Sequence, residues 1–149
     1  MKYEDKPILV THIFNSAIIA VWKALTVHEE MKQWYFSNIP TFETRIGFKT
    51  SFIIEVEDRV FPHVWKVMEV DAPYKIAYEW TFEGYPGRGV SYFELTPSDT
   101  RTKLNFSFTT LEPFPDTIPE FKRESGVAGW NYFIKERLHA YLEAKKDNK

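Results

Sequence analysis

The fold is decided by three consecutive segments, which read FKTSFIIEVE (48–57), VFPHVWKVMEV (60–70) and KIAYEWTFE (75–83). In the first and third segments apolar and polar side chains alternate, so each has one apolar face. This period of two predicts β-strands, and the turn signals Asp58-Arg59 and Asp71-Ala72-Pro73 predict that neighbouring strands are antiparallel. A single apolar face per strand indicates a sheet with one covered face and one wet face.

Further strands are predicted on both sides of these segments. Residues 8–14 are rich in β-formers, and residues 90–96 and 101–110 form a last hairpin around the turn at 97–100. The intervening residues 84–89 contain three glycines and are predicted to be a loop. A turn signal about every ten residues therefore predicts an antiparallel meander of about six to seven strands.

Helices are predicted before and after the meander. Asn15 or Ser16 is suited to cap a short helix with an apolar stripe over 18–25, and a second short helix covers Glu29 to Trp34. Residues 120–145 contain no proline and repeat apolar side chains at three and four, which predicts one long helix. At about 1.5 Å per residue this helix is long enough to cross the whole sheet.

The composition is typical of one globular domain except in its aromatic content. The 149 residues show no internal repeat or linker, and we expect a single α+β domain over 1–149 with its core at about 8–145. There are 13 Phe, 8 Tyr and 5 Trp, which make up 17% of the chain. Because each buried ring covers a large area, these rings either fill the core or line a space inside it.

Charge and composition argue against several classes of partner. A net charge of −2 gives no long-range attraction to nucleic acid or to anionic membranes. No apolar run is long enough to span a bilayer and the N-terminus lacks a signal-peptide pattern, so we expect a cytoplasmic protein without membrane insertion. Apolar residues that are expected to be exposed, such as Ile53, are compatible with the formation of a homodimer.

The sequence predicts no catalytic residue, no metal site and no cofactor. The absence of cysteine excludes disulfides, thiolate catalysis and cysteine-type zinc sites, and the four histidines lie singly. A surface or structural role is favoured for each of them, although His63 would serve as an acid, base or orienting group if it pointed inward. Strand alternation places the carboxylates, such as Glu79 and Glu94, on the wet face, where they are solvated.

The main functional hypothesis is an apolar ligand cavity between the sheet and the C-terminal helix. A curved sheet around a helix leaves a wedge, and a wedge with aromatic walls is typical of sites for small apolar ligands. The alternative is that the same rings simply fill the core. The predicted ligand-binding residues are Trp34, Phe52, Trp65, Tyr78, Trp80, Phe82, Phe93, Phe106, Phe108, Trp130, Phe133 and Tyr141.

Four motifs resemble those of the family of activators of heat-shock-chaperone ATPase and their homologues. The residues that carry the resemblance are Val21-Trp22-Lys23-Ala24-Leu25-Thr26 with Gln33-Trp34, Val67-Met68-Glu69-Val70-Asp71-Ala72-Pro73 with Trp80, Phe93-Glu94-Leu95-Thr96-Pro97, and Gly129-Trp130. Val27-His28 departs from the family's usual Asp-Pro, and Ala72 replaces the first of two prolines. The element order also resembles the helix-grip fold of the START-like (SRPBCC) superfamily, to which the birch-pollen allergen belongs.

The resemblance implies a curved antiparallel sheet wrapped around a long C-terminal helix, with two short helices after the first strand. The ring-lined wedge between sheet and helix favours a small hydrophobic ligand of lipid-like or polyketide-like chemistry. Two alternative functions are compatible with the resemblance. One is a co-chaperone that regulates the ATPase of the ninety-kilodalton heat-shock chaperone, and the other is a cyclase-like or hydrolase-like enzyme that uses the same cavity.

Overall fold

The structure, a computed structural model, describes residues 6–147. Its elements are, in chain order, β1 (Ile8–Phe14), α1 (Ile18–Thr26), α2 (His28–Trp34), β2 (Lys49–Val56), β3 (Arg59–Asp71), β4 (Lys75–Phe82), β5 (Tyr85–Ser98), β6 (Arg101–Glu112), a 3-10 turn (Pro119–Phe121), α3 (Arg123–Asn131), a π-helical segment (Tyr132–Leu138) and α4 (His139–Asp147). The last three elements follow one another directly and are together called the C-terminal helix. This order confirms the predicted helix-grip arrangement.

The six strands form one antiparallel sheet in the order β1-β6-β5-β4-β3-β2. Strands β2 to β6 make the predicted meander, and β1 joins it by pairing with β6, where Ile8 lies opposite Phe108. The register shifts between Val67 and Glu69 in β3 and again between Trp80 and Phe82 in β4. Because bulges bend and twist a strand, these shifts contribute to the curvature of the sheet.

Aromatic rings from the sheet and from the C-terminal helix meet on the covered face. The rings of Trp65 and Trp80, which are cross-strand neighbours, lie 5.1 Å apart, and those of Phe93 and Phe106 lie 4.9 Å apart. The ring of Trp130 on the C-terminal helix lies 4.2 Å from Phe106. Such close ring pairs contribute specific contacts in addition to the burial of apolar area. The helix is therefore anchored to the sheet through aromatic contacts.

The π-helical segment keeps the apolar stripe of the C-terminal helix on one side. The buried residues are spaced strictly by four: Trp130, Ile134, Leu138 and Leu142. In an α-helix each step of four residues overshoots a full turn by about 40°, so the stripe would drift by about 120° over three steps. The wider turns of a π-helix reduce this drift. The spacing of four and the π-helical hydrogen bonding thus agree with each other.

The prediction of a glycine-rich loop at 84–89 was wrong. Strand β5 begins at Tyr85, which pairs with Phe82, so the turn is confined to Glu83 and Gly84. Gly87 and Gly89 both lie inside the strand. Glycine is needed at these positions because aromatic rings occupy the space that a side chain would need. A Cβ atom would lie 2.3 Å from the ring of Phe114 at Gly87 and 2.4 Å from the ring of Phe108 at Gly89. These glycines serve close packing instead of a loop.

The start of α1 also differs from the expectation. Its N-cap is Ala17, which has extended backbone angles and makes no side-chain capping hydrogen bond. Neither Asn15 nor Ser16 caps the helix. Instead the backbone carbonyl of Ser16 accepts a hydrogen bond from the Thr102 hydroxyl at 2.7 Å, which ties this corner to β6. The hydrogen bond to the last hairpin fixes the chain before the helix begins.

Candidate functional site

A cavity of about 330 Å³ lies between the sheet and the first half of the C-terminal helix. Side chains of β2, β3, β4 and β6 form one part of its wall. The connection between β6 and α3, the C-terminal helix, and Phe36 after α2 form the rest. The lining residues are Phe36, Ile54, Val56, Phe61, His63, Trp80, Phe82, Phe108, Phe114, Glu120, Phe121, Ser125, Gly126, Gly129, Trp130 and Phe133. Eleven of these sixteen have aliphatic side chains or the rings of Phe and Trp, so the walls are mainly apolar.

Strand alternation brings the sheet residues of the cavity together. Phe61 and His63 share one face of β3, and Trp80 and Phe82 share the same face of β4, because side chains two apart point the same way. His63 lies directly opposite Phe82 in the pairing of these strands. Ring centroids of Trp80 and Trp130 lie 5.3 Å apart, so the sheet and the helix meet at this wall.

The connection between β6 and α3 closes one side of the cavity with two rings. Phe114 and Phe121 are both buried and stack on each other at 5.4 Å with an interplanar angle of 19°. Phe121 also contacts Phe82 edge-on at 5.0 Å and Phe61 at 5.3 Å. The proline-containing connection is therefore held against the sheet by aromatic packing, and it forms a wall of the cavity.

His63 is a titratable side chain in the apolar part of the lining. Its ring is stacked on Phe52 at 5.0 Å and contacts Phe82 edge-on at 4.6 Å, and only 7% of the residue is exposed. Its Nδ1 atom lies 2.9 Å from the backbone carbonyl oxygen of Phe61. Burial disfavours the charged imidazolium and lowers the pKa of His63 to about 4. The side chain is consequently neutral near pH 7.

An ion pair joins two segments at the rim of the cavity. Arg59, at the start of β3, donates two hydrogen bonds to Glu120, from Nε to Oε1 at 2.7 Å and from Nη2 to Oε2 at 2.6 Å. The hydrogen bonds from Arg59 lower the pKa of the Glu120 carboxyl and raise that of the guanidinium. This two-pronged contact links the β2–β3 turn to the 3-10 turn before α3.

Five of the predicted ligand-binding residues line this cavity, and seven lie elsewhere. The five are Trp80, Phe82, Phe108, Trp130 and Phe133. The seven are Trp34, Phe52, Trp65, Tyr78, Phe93, Phe106 and Tyr141. Six of these seven are buried in the core, while Tyr141 is partly buried beside it.

The polar atoms of several of these other residues have partners within the protein. Trp34 donates from Nε1 to the carbonyl oxygen of Ala24 at 2.7 Å. The hydroxyl of Tyr78 donates to the hydroxyl of Tyr35 at 3.1 Å, and that of Tyr141 donates to Glu30 at 2.9 Å. These two tyrosines, which are among the predicted ligand-binding residues, thus link the end of α2 to the sheet and α2 to α4.

Sequence reasoning missed much of the lining. Ile54 and Val56 lie on the apolar face predicted for 48–57, whereas the mixed pattern of 60–70 left the faces of Phe61 and His63 undecided. Phe114 and Phe121 lie in or next to a proline-containing connection without periodicity, so no pattern signalled them. Gly129 was noted only as part of a family motif. Gly129 leaves open space on the helix surface because it has no side chain. Whether that space belongs to a cavity depends on the residues packed around it, which the local sequence does not specify.

The described residues contain neither a metal-type cluster nor a membrane-spanning helix. Across residues 6–147, no three or more His, Asp or Glu side chains come together as a metal site would require. In the same part of the chain, no helix is both long enough and apolar enough to cross a membrane.

Solved structures of other proteins share this fold. Protein CV1439 from Chromobacterium violaceum is 19% identical with a TM-score of 0.75, and the alignment covers 92% of this chain and 96% of that one. Protein MLL2253 from Mesorhizobium loti is 22% identical with a TM-score of 0.72, covering 93% and 98%. DynU16, described as a putative protein in the dynemicin biosynthetic locus, is also 22% identical with a TM-score of 0.72. The alignment covers 93% of this chain but only 48% of DynU16. These low identities show a common fold and no more.

The family assignment comes from a sequence comparison. The family described as Activator of Hsp90 ATPase homolog 1-like protein matches residues 16–143, which is most of the chain. No curated protein matches the sequence significantly. The matched range includes all four motifs on which the predicted resemblance depends, and it confirms that resemblance. The chain therefore belongs to the family of Activator of Hsp90 ATPase homolog 1-like proteins.

Proposed function

We propose that this domain binds a small hydrophobic molecule in the cavity between the sheet and the C-terminal helix. The observation that carries the proposal is the cavity itself. Its volume of about 330 Å³ falls within the range of roughly 300–1,000 Å³ that is usual for small-molecule sites. Its walls are mostly aromatic and aliphatic, with few polar groups, as such sites require.

The chemistry of the walls favours lipid-like or polyketide-like ligands. Burial of apolar ligand surface against rings such as Phe82 and Trp130 would supply most of the binding free energy. DynU16, which has the same fold, is described as belonging to a biosynthetic locus, and this agrees with a ligand drawn from biosynthetic chemistry. The ligand would be enclosed on one side by the stacked rings of Phe114 and Phe121.

The direct test is to identify what the protein binds. We expect native mass spectrometry of the freshly purified protein to show a bound mass, and solvent extraction followed by mass spectrometry to identify it. Titration with the neutral fluorescent probe N-phenyl-1-naphthylamine should give saturable binding at one site. A protein that carries no small molecule and does not bind the probe would contradict the proposal.

A pair of variants on α3 makes this test specific to the cavity. Gly129 lines the cavity, and a Cβ atom at this position meets no atom within 4 Å. Gly129→Leu should therefore fill part of the cavity and weaken binding of the probe at least tenfold. Val127→Leu is the matched control, because Val127 lies on the same helix, is 37% exposed and does not line the cavity. It should bind the probe like the unchanged protein.

The family description supports a second candidate function, regulation of the Hsp90 ATPase. If the domain acts in this way, adding it to Hsp90 should change the rate of ATP hydrolysis in a saturable manner. An unchanged rate at all concentrations would exclude this function and leave the binding proposal intact.

A catalytic use of the cavity is the third candidate, and His63 is the observation that favours it. A buried titratable group with a shifted pKa in a cavity is a feature of active sites. A base with a pKa of about 4 is nevertheless weak at neutral pH, and Nδ1 of His63 is bonded to a backbone carbonyl instead of a carboxylate. A role in binding is therefore the better use of this residue.

A further inference from the structure

The polar atoms of the cavity are few, and most already have partners. Trp80 donates its indole N–H to the hydroxyl of Ser91 at 2.9 Å, and Glu120 accepts two hydrogen bonds from Arg59. Ser125 is exposed at the surface. His63 is different, because it is buried in the apolar wall and uses only one of its two ring nitrogens.

The hydrogen bond of Nδ1 decides what the other nitrogen can do. A backbone carbonyl oxygen accepts hydrogen bonds and cannot donate, so the proton of the neutral ring is on Nδ1. Nε2 then carries a lone pair and acts as an acceptor. Within residues 6–147, no group donates a hydrogen bond to Nε2, and this atom is not among the fully enclosed polar atoms that lack partners. Nε2 is therefore not fully enclosed by protein atoms, and His63 is one of the residues that line the cavity.

We infer that Nε2 of His63 accepts a hydrogen bond from a hydroxyl group of the ligand, so that the cavity selects neutral molecules with an alcohol or phenol group. This inference rests on the proposed function, because it concerns the chemistry of the molecule that the cavity holds. A hydrocarbon of the same shape would leave the buried acceptor without a donor, and this costs binding free energy. An ether would do the same.

The charges around the cavity argue against an anionic ligand. No lysine or arginine is among the lining residues, and Arg59 at the rim is paired with Glu120. A carboxylate brought into the cavity would lose its hydration without gaining a cationic partner. It would also face the lone pair of Nε2. A fatty acid is thus a poorer fit than a neutral hydroxylated ring system.

The test compares three probes that share one ring system, measured by calorimetry at pH 7. They are 2-naphthol, its methyl ether 2-methoxynaphthalene, and 2-naphthoate. We expect 2-naphthol to bind about two- to tenfold more tightly than the ether, which is the range for one neutral hydrogen bond. The carboxylate should bind most weakly. Equal affinities for 2-naphthol and the ether, or tightest binding of the carboxylate, would overturn the inference.

Two substitutions assign the preference to His63. His63→Phe keeps an aromatic ring in the stack on Phe52 but has no acceptor, so it should bind both 2-naphthol and the ether with similar affinity. His63→Gln keeps an acceptor and should retain part of the preference. His12→Phe is the control, because His12 contacts Phe14 and His139 outside the cavity, and it should leave the preference unchanged.

The outcomes separate this inference from the proposed function. If the unchanged protein binds the probes without preference, or if His63→Phe folds and still prefers 2-naphthol, the role of His63 is wrong while the binding function stands. If no probe binds and no molecule copurifies, the proposed function itself fails. Circular dichroism shows whether His63→Phe folds. If it does not fold, the comparison of 2-naphthol with its methyl ether in the unchanged protein still tests whether the cavity prefers a hydroxyl group.

Discussion

His63 illustrates how one buried side chain combines an apolar wall with a polar atom. Its ring takes part in the aromatic packing through contacts with Phe52 and Phe82, so it behaves like a core residue. One nitrogen is satisfied within its own strand by the carbonyl of Phe61. The other nitrogen is left to any molecule that enters the cavity. The same burial affects the stability of the protein as well as its binding.

The stability of the protein should fall in acid because of His63. The pKa of this side chain is about 4 in the folded protein, against 6.5 for an unperturbed histidine. Between these pH values the unfolded chain therefore binds a proton that the folded chain does not, and stability is lost as the pH falls from 6.5 to 4. The full effect corresponds to about 3.5 kcal/mol at about 1.4 kcal/mol per pKa unit.

Urea denaturation at several pH values checks this expectation. His12, whose pKa is also lowered by burial and by His139, adds to the acid sensitivity of the unchanged protein. The comparison with His63→Phe isolates the contribution of His63, because that variant should lose most of the additional acid sensitivity. An unchanged pH dependence in a folded His63→Phe variant would show that His63 is not buried as a neutral ring.

The inward position of His63 could not be fixed from the sequence. Alternation is clear in β2 and β4, but β3 reads VFPHVWKVMEV, in which apolar residues occur on both faces. The face on which His63 lies is set by the pairing of β3 with its two neighbouring strands. In this pairing His63 lies opposite Phe52 of β2 and Phe82 of β4. Trp80 and Trp130, in contrast, follow regular patterns, and their convergence was predicted from those patterns.

At the scale of elements, two glycines are expected to respond to alanine in opposite ways. Gly89 lies within β5, where a Cβ atom would lie 2.4 Å from the Phe108 ring and 3.2 Å from the Thr109 carbonyl oxygen. Gly89→Ala should cost about 1–3 kcal/mol through overpacking. Gly129 lies within α3 with open space around it, so Gly129→Ala should stabilise the helix by about 0.5–1 kcal/mol.

Thermal or urea denaturation of the two alanine variants measures both signs in one experiment. Because Phe108 lines the cavity, Gly89→Ala should also change the binding of N-phenyl-1-naphthylamine. If both variants were neutral, the close approach of Phe108 to β5 would not be a fixed feature of the packing.

The π-helical segment should tolerate both substitution and removal of one residue. Glu136 is exposed within the segment, so Glu136→Ala should change stability by less than about 0.5 kcal/mol. Deleting Glu136 leaves the buried residues Trp130, Ile134, Leu138 and Leu142 at spacings of four, three and four, which an ordinary α-helix keeps on one face. We therefore expect the deletion variant to fold with an α-helix in place of the π-helical segment. Near-ultraviolet circular dichroism, which reports on packed tryptophans, should keep its signal, and loss of that signal would contradict the expectation.

Element types were more predictable than element details. Strands β1 to β4 and both short helices agree closely with their predicted ranges, because each has a strong period or a clear boundary. The start of β5 was missed because glycines usually punctuate turns, whereas here they admit the rings of Phe108 and Phe114. The π-helical segment was missed because a spacing of four is compatible with an ordinary helical stripe.

At the scale of the whole molecule, a bound ligand should stabilise the fold by mass action. At a free ligand concentration of 100 times Kd, the expected gain is about 2.7 kcal/mol. For a domain of this size this corresponds to an increase in Tm of roughly 5–10 °C. Differential scanning fluorimetry with 2-naphthol checks the expectation. Gly129→Leu, which should bind weakly, should show little shift, and an equal shift in this variant would place the binding site elsewhere.

The overall architecture was accessible from the sequence, but the cavity was only partly so. One apolar face per strand and one apolar stripe on the last helix leave few other ways to pack the chain. Where the rings stop filling the space depends on tertiary contacts, such as the seating of Phe121 against Phe61 and Phe82. No local pattern encodes those contacts.

The pairing of β1 with β6 sets an order of events during synthesis on the ribosome. Ile8, Val10 and Phe14 are buried in the finished fold, and their strand pairs with residues 102–108. About one hundred further residues must therefore be translated before these side chains find their partners. At roughly 5–20 residues per second the nascent segment waits on the order of 5–20 seconds. During that interval these apolar side chains are exposed and can be bound by chaperones.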